Sequence, residues 1–313
     1  MKRIFLGLAG LWFGLVSAGF AHAGSLEVPH PHYGLSIGNS ETFNGLRFNL
    51  ADENVKAVRG MNFTVFNWEE HYENAYTLTA DRIDGLALGL MGPRAREING
   101  LALGCWLTNV DTLRGINIAP VHVIGGTTTG FTFSLVHTLE EMNGISVGMV
   151  TNIGQESNGI LIGLLYLTSP KVNGLVIQGL FSGKVEEVRG VSLEWGSLAF
   201  LASGILAGLA VGPAPETPAS PSPSFSPVGS KKLTGLMIGG YNVVEEQQGV
   251  LLGLFGNSIK KGSGLQIGSL FNTAKSFDGV QVGFINHIEE NPFLFRWMPG
   301  INFHFGGDEE ETD

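Results

Sequence analysis

The segment Asn99-Gly100-Leu101-Ala102-Leu103-Gly104 contains the repeat that decides the fold of this chain. A polar residue precedes a glycine, which is followed by an apolar residue, any residue, a second apolar residue and often a second glycine. The same order recurs at residues 158–163, 263–268 and 278–283. The first glycines of the repeats fall at positions 34, 45, 60, 85, 100, 115, 130, 144, 159, 174, 190, 204, 235, 249, 264, 279 and 300, and most steps are 14 to 16 residues. So constant a period predicts a repeat architecture.

The alternation of side chains inside each repeat predicts β-strands. The first, third and fifth residues after the first glycine are bulky and apolar, as at Leu86, Leu88 and Leu90. The opposite face carries glycine and small or polar residues, as at Gly144 and Ser146. A period of two is typical of strands, whereas two glycines within five residues would each cost a helix about 1 kcal/mol. The repeat is therefore predicted to be a strand plus a turn, and the fold to be all-β.

The repeats extend over residues 34–305 and predict a single β-repeat domain there. Two longer steps contain predicted loop insertions at 68–82 and 212–232, the second of which is rich in proline. Both insertions follow the apolar segment, so this phase of the repeat is predicted to be the connecting loop, where insertions are tolerated. Residues 24–33 are predicted to be a leader, and residues 306–313 an acidic tail.

The N-terminus has the pattern of an export signal. Lys2 and Arg3 precede an apolar stretch over residues 4–20, and Ala21-His22-Ala23 provides an A-x-A cleavage site. This pattern predicts a signal peptide over residues 1–23 and an exported protein. The formal net charge of −10 excludes a nucleic-acid partner, because phosphate binding needs a basic face.

A membrane-embedded, up-and-down β-barrel of the outer-membrane type is the preferred architecture at this stage. A strand of about ten residues plus a short turn matches the repeat length, and the apolar rows would face lipid. A bulge at the Asn-Gly pair would bring the residue two before the glycine, such as Ile98, onto the same apolar face. The aromatic alternation in the closing segment, residues 300–305, resembles the terminal strand of outer-membrane barrels.

A β-solenoid, in which every repeat forms one coil, is the alternative. Its apolar residues would fill a narrow core, and equivalent residues would stack on neighbouring coils. A corner ladder of amides is then predicted from five asparagines with equivalent places in their repeats: Asn152, Asn242, Asn257, Asn272 and Asn286. Both architectures explain the alternation, and the pattern leaves the choice open.

The segments Gly264-Leu265-Gln266-Ile267-Gly268 and Gly279-Val280-Gln281-Val282-Gly283, with Asn272 and Asn286 after them, resemble a family of bacterial surface-repeat proteins with G-L-x-I-G units. That family occurs in spirochaetes, Bacteroidetes and other bacteria with two membranes. The closing residues 291–305 are similar to the family's C-terminus. The resemblance is best over 235–305 and looser over 34–204, while the proline-rich insertion and the acidic tail depart from it. It implies the outer membrane or cell surface, and it brings no assigned activity or functional residues.

The sequence contains no recognisable enzyme site, so the chain is predicted not to be an enzyme. Cys105 is the only cysteine and is expected to be a small buried residue in an apolar strand. His30 and His32 lack a second pair of ligands at zinc spacing, and His71 lies among glutamates in the first insertion. No catalytic, cofactor-binding or metal-binding residue, and no cofactor, is predicted.

The sequence therefore predicts an outer-membrane or cell-surface β-repeat protein of structural, pore or adhesion type. Outer-membrane lipid is its expected partner, and the loops at 68–82 and 212–232 are the expected contacts to a surface ligand. The alternative is a secreted or surface-attached β-solenoid binding module for polysaccharide or protein.

Overall fold

The computed structural model describes residues 25–65, 78–179, 184–194 and 230–306. The fold is a β-solenoid of about 13 turns, so the predicted barrel is wrong and the alternative is confirmed. Strand direction gives the physical reason. Neighbouring coils run parallel and in register, with Gly85 opposite Gly100 and Gly100 opposite Gly115, whereas neighbours in an up-and-down barrel run antiparallel.

The chain divides into two compact units, of which the N-terminal unit comprises residues 1–146. It begins with an antiparallel hairpin of β1 and β2, and every later pair up to β8 is parallel. Its strands are β1 (Ser25–His30), β2 (Tyr33–Gly38), β3 (Thr42–Asn49), β4 (Val55–Thr64), β5 (Ala80–Gly89), β6 (Arg94–Gly104), β7 (Leu107–Ile118) and the first part of β8 (His122–Gln178).

The C-terminal unit comprises residues 147–313. The rest of β8 is followed by β9 (Val185–Glu194), β10 (Ser230–Gly268), β11 (Phe271–Ile288), a short 3-10 helix (Phe293–Phe295) and β12 (Trp297–His304). β8 to β11 pair in parallel, and β12 returns antiparallel to β11. An antiparallel pair thus closes each unit at its chain terminus, as the atypical terminal repeats of solenoids do.

Several predicted boundaries fall outside the described residues or on strands. The signal peptide, most of both insertions and nearly all of the acidic tail belong to residues 1–24, 66–77, 195–229 and 307–313, which are not described. Residues 25–30, predicted as leader, form β1. β5 starts at Ala80, and β10 starts at Ser230, both inside the predicted insertions.

The core is lined by the residues two before and two after the first glycine of each repeat. Ile98 and Ala102, on either side of Gly100, have no exposed surface, and Leu113 and Asn117 of the next coil are equally buried. The rows at positions +1, +3 and +5 after the glycine face outward. The prediction that these apolar rows fill the core of a solenoid is therefore wrong.

Simple alternation explains this reversal. Residues at −2 and +2 lie on one side of a strand, and those at +1 and +3 lie on the other. The predicted bulge at the Asn-Gly pair is wrong, because β5 and β6 stay in register through it: Ile83 lies opposite Ile98 and Gly85 opposite Gly100.

Amide ladders run through the core of the C-terminal unit. The Nδ2 atoms of Asn242, Asn257 and Asn272 each donate to the Oδ1 atom of the next asparagine, ending at Asn286, at 2.7 Å per step. This confirms four members of the predicted corner ladder. Asn152 is not one of them, because it is exposed and accepts a 2.7 Å hydrogen bond from Thr168. A second ladder joins Gln247, Gln266 and Gln281 at 2.9 Å per step.

Candidate functional site

The two described histidines considered as metal ligands, His30 and His32, each have a ring nitrogen near a backbone carbonyl oxygen. His30 places Nδ1 at 2.8 Å from the Pro31 carbonyl oxygen, and His32 places Nδ1 at 3.1 Å from that of Thr42. His71 lies outside the described residues. Across the described ranges, no three histidine, cysteine, aspartate or glutamate side chains are close enough together to hold a metal ion.

Cys105 is exposed, so the prediction that it is buried is wrong. It occupies position +5 of its repeat, directly after the last residue of β6, and its backbone N–H donates to the carbonyl oxygen of Gly89 at 3.3 Å. Position +5 continues the outward alternation of +1 and +3, and this places Cys105 on the outside of the coil.

In the described part of the chain, no helix has both the length and the apolar character needed to cross a membrane.

The most distinctive surface is the outer apolar face, defined as positions +1 and +3 of every repeat together with the apolar members of position +5. In-register pairing stacks these residues into continuous rows along the N-terminal unit. The +1 row there consists of Leu35, Leu46, Met61, Leu86, Leu101, Ile116, Phe131 and Ile145, and the +3 row of Ile37, Phe48, Phe63, Leu88, Leu103, Ile118 and Phe133. No described member of either row is polar.

The C-terminal unit carries the same two rows. Leu175 lies opposite Val191, and Ile177 lies opposite Leu193, so the aliphatic character continues from coil to coil. The described members are Ile160, Leu175, Val191, Leu236, Val250, Leu265, Val280 and Ile301 at +1, and Val147, Ile162, Ile177, Leu193, Ile238, Leu252, Ile267, Val282 and Phe303 at +3.

These rows are open to solvent. Leu46 is 46% exposed, and Ile116 and Phe133 are each 44% exposed. Other members, such as Leu86 and Leu101, are half-buried because apolar neighbours in the row flank them above and below. Position +5 widens the face with exposed side chains, among them Leu90 and Leu135.

The polar residues beside the glycines bound this face. Position −1 holds Asn99, Arg114 and Thr129 in consecutive coils. Further from the face, ion pairs join adjacent coils, such as Lys56–Glu41 at 2.6 Å and Lys260–Glu245 at 2.7 Å. Solvent screens such pairs and limits each to at most about 1 kcal/mol. Their main effect is that the lysine and glutamate charges next to the −1 row largely neutralise one another.

A polar cleft of about 330 Å³ lies on the charged side of the C-terminal unit. Gly262 occupies position −2, where other coils place a side chain in the core, and a Cβ atom added there would lie 2.4 Å from the carbonyl oxygen of Gln247. The lining residues are Lys232, Glu246, Gln247, Gln248, Lys261, Gly262, Ser263 and Ser276. Lys261 already pairs with Glu246 at 3.0 Å. The cleft therefore presents polar groups of both charges and does not select a ligand of one charge.

Two groups, the buried His137 and the half-buried Glu194, have strongly displaced pKa values. Burial lowers the pKa of His137 to about 4, with a smaller contribution from the charge of His122, and the Ser146 hydroxyl lies 2.9 Å from its Nδ1 atom. Burial raises the pKa of Glu194 to about 7, opposed by a 3.4 Å hydrogen bond from the Ser192 hydroxyl. The His137 ring and the Ser146 hydroxyl are both fully buried, and the shifted pKa values of His137 and Glu194 make the stability of the fold depend on pH.

The N-terminal unit also contains a buried ionic network. The Arg47 guanidinium donates to the Asp52 carboxylate and, at 2.6 Å, to Asn62, and both charged side chains are almost completely buried. Thr64 donates to the same carboxylate at 2.6 Å. Because Arg47 occupies the +2 core row, the network replaces apolar packing in this coil and serves the fold.

A comparison of the chain with family models, curated proteins and solved structures finds no match. Sequence reasoning found the apolar rows but assigned them to a lipid boundary or to the core. The signal that could have corrected the assignment is the row at −2, where Ile83, Ile98 and Leu113 are large and apolar without exception over three coils.

Proposed function

We propose that this chain is an exported, surface-attached β-solenoid binding module whose working surface is the outer apolar face. The observation that carries the proposal is the uninterrupted apolar character of the +1 and +3 rows in every described repeat. Single exposed leucines are common on proteins, but contiguous apolar surface of this extent marks an interaction site.

The chemistry of the face favours a protein partner over a polysaccharide. Sugar hydroxyls need hydrogen-bond partners, and burying them against aliphatic rows would leave them unsatisfied. Leu101, Leu103 and their row neighbours offer only hydrocarbon. An apolar protein surface can bury the face without that penalty.

Lipid is less well matched than protein. Proteins that lie on anionic membranes surround their apolar face with lysine and arginine. This chain carries a net charge of −10, and its described lysines include six that are already ion-paired: Lys56, Lys171, Lys184, Lys231, Lys260 and Lys261. The surface location itself is supported by the N-terminal export pattern and by the resemblance of the G-L-x-I-G units to bacterial surface repeats.

Cell association tests the function. The full-length gene is expressed in a bacterium with two membranes, and the processed protein is quantified on the cells and in the medium. The wild type should stay on the cells, and Leu101→Lys/Leu103→Lys should be released because charge on the face prevents apolar contact. Thr138→Lys/Gln155→Lys adds the same charge at exposed positions off the face and should behave as the wild type. Equal retention of all three proteins would refute the proposal.

A further inference from the structure

We propose that the partner of the outer apolar face is a second copy of this chain, packed face to face through the rows at +1, +3 and +5. This inference rests on the proposed function, since it names the partner of the same surface. The available area, the chemistry of the face and its charge surroundings support it.

The area reaches the lower limit for a specific dimer interface. In the N-terminal unit the rows cross seven coils, from the one at Gly34 to the one at Gly130. With strands about 4.8 Å apart and residues about 3.3 Å apart along a strand, positions +1 to +5 cover roughly 500 Å² per copy. Two copies would bury about 1,000 Å² through this unit alone, which reaches the range of specific interfaces. The C-terminal unit carries the same two rows on its own coils.

The face is complementary to itself. A two-fold dimer brings the same patch of both copies together, so a charged residue near the axis would meet its own like charge. The +1 and +3 rows contain no charge in any described repeat. Aliphatic side chains on two sheets can interdigitate at the usual separation of about 10 Å. The polar row at −1, with Asn99 and Thr129, then forms the wet rim that surrounds the dry centre of an interface.

The position of the single cysteine agrees with this arrangement. Cys105 is exposed on the +5 row, between Leu90 and Leu135 in the order of the coils. Face-to-face packing would place the two copies of Cys105 at the same interface. The residue therefore serves as a native attachment point for a probe, without any substitution.

Sedimentation of the protein purified after export, in detergent-free buffer, is the first test. The wild type should be a dimer. Ile116→Lys/Phe133→Lys puts two charges into the centre of the face and should weaken self-association at least roughly 100-fold. The control Thr138→Lys/Gln155→Lys adds equal charge at exposed positions outside the face and its rim, and should remain dimeric. Circular dichroism of each variant establishes that the β-fold is retained.

Salt provides a second measurement that needs no variant. Each copy carries a net charge of −10, so two copies repel one another at low salt. Between about 0.01 M and 1 M salt the Debye length falls from roughly 30 Å to 3 Å, and apolar association should strengthen. A dimer that dissociates as salt is added would be held by ion pairs and would overturn the proposal.

A nitroxide on native Cys105 provides the third measurement. Dipolar coupling between labels on different copies should be present in the wild type and in the control, and absent in Ile116→Lys/Phe133→Lys. A monomer without coupling overturns the dimer. If that monomer floats with phosphatidylglycerol–phosphatidylethanolamine vesicles, and lysine substitution abolishes flotation, the face binds lipid instead of a second copy. Loss of cell association in the lysine variant of a monomeric protein would leave the proposed function standing while the dimer fails.

Discussion

Gly100 shows at the scale of one residue why glycine marks every repeat. Its φ angle is +136°, and a Cβ atom added there would lie 2.1 Å from the carbonyl oxygen of Gly85 in the coil below. Both the backbone angle and the close approach exclude a side chain. The repeat glycine is therefore a contact between coils, and the period of the sequence is the period of this contact.

Gly100→Ala is expected to lower the free energy of unfolding by about 3 kcal/mol, because backbone strain adds to overpacking. Urea denaturation followed by circular dichroism measures the change. Gly306→Ala is the control, since the nearest atom to its added Cβ is 3.7 Å away and its backbone angle is ordinary. Equal midpoints for the two variants would contradict the stacking contact.

His137 makes stability depend on pH. Its folded pKa of about 4 lies below the ordinary value of 6.5, so between these values the unfolded chain binds more protons. Stability therefore falls as the pH falls from 6.5 to 4, by up to about 1.4 kcal/mol per pH unit. Glu194 acts with the opposite sign, since a folded pKa of about 7 removes stability as the pH rises from 4.5 to 7.

The difference between the wild type and His137→Asn isolates the histidine from Glu194. Urea unfolding at a series of pH values should give a steeper loss of stability toward low pH for the wild type than for His137→Asn. Parallel curves would show that His137 takes up its proton equally in the folded and unfolded chains. Glu194→Gln is the complementary variant and should stabilise the protein near pH 7.

At the scale of the strand, the orientation of each coil was harder to predict than its existence. Leu101 and Leu103 look like core residues and Ala102 like a surface residue, yet Ala102 has no exposed surface. The buried +2 row ranges from Ala102 to Leu161 and Arg47, so its members share burial but neither size nor hydrophobicity. A hydrophobic pattern therefore cannot identify this row as part of the core.

The alternation in the sequence also could not predict whether neighbouring strands run parallel or antiparallel. Alternation with a period of two is the same in parallel and antiparallel strands, and only the hydrogen-bond pattern distinguishes them. The spacing of the asparagines did indicate that neighbouring coils stack in parallel. Asn257 and Asn272 recur with the spacing of one coil and were expected to stack, and their 2.7 Å contact confirms it. For the candidate site, the sequence supplied the apolar rows but not the side of the strand that faces water.

A pair of substitutions in β6 tests the orientation directly. Ala102→Leu should destabilise the protein by about 1–3 kcal/mol, because the added atoms enter a packed core. Leu101→Ala, one residue earlier, should change the unfolding free energy by less than about 1 kcal/mol, because the side chain is outward. Thermal or urea unfolding of both variants provides the measurement, and the opposite ranking would mean that Leu101 faces the core.

At the scale of the whole molecule, stability is a sum over coils and the contacts between neighbours. The solenoid should therefore tolerate the loss of a complete repeat. Deletion of residues 100–114 joins Asn99 to Gly115 and preserves the phase of the pattern. The protein should retain its β-type circular dichroism and cooperative unfolding, at a somewhat lower stability.

Deletion of residues 100–106 is the control for this prediction. It removes part of one repeat, so the residues that follow change their place in the coil. This variant should lose cooperative unfolding or fail to accumulate. If both deletions are equally harmful, contacts beyond nearest neighbours hold the fold together.

The antiparallel strand at each terminus bears on whether further chains can add to the ends of the stack, as they do in a fibril. Parallel, in-register stacking with glycine on glycine and asparagine on asparagine is the hydrogen-bond pattern of an amyloid fibril, which lengthens because its last strand offers open N–H and C=O groups. Here the last described strand at each terminus runs antiparallel to its neighbour and contains a proline, Pro29 in β1 and Pro299 in β12. Proline has no N–H to donate, and a reversed strand presents the wrong template for a parallel newcomer. The molecule thus has the internal order of a fibril without its seeding behaviour, and its length is fixed by the gene rather than by concentration.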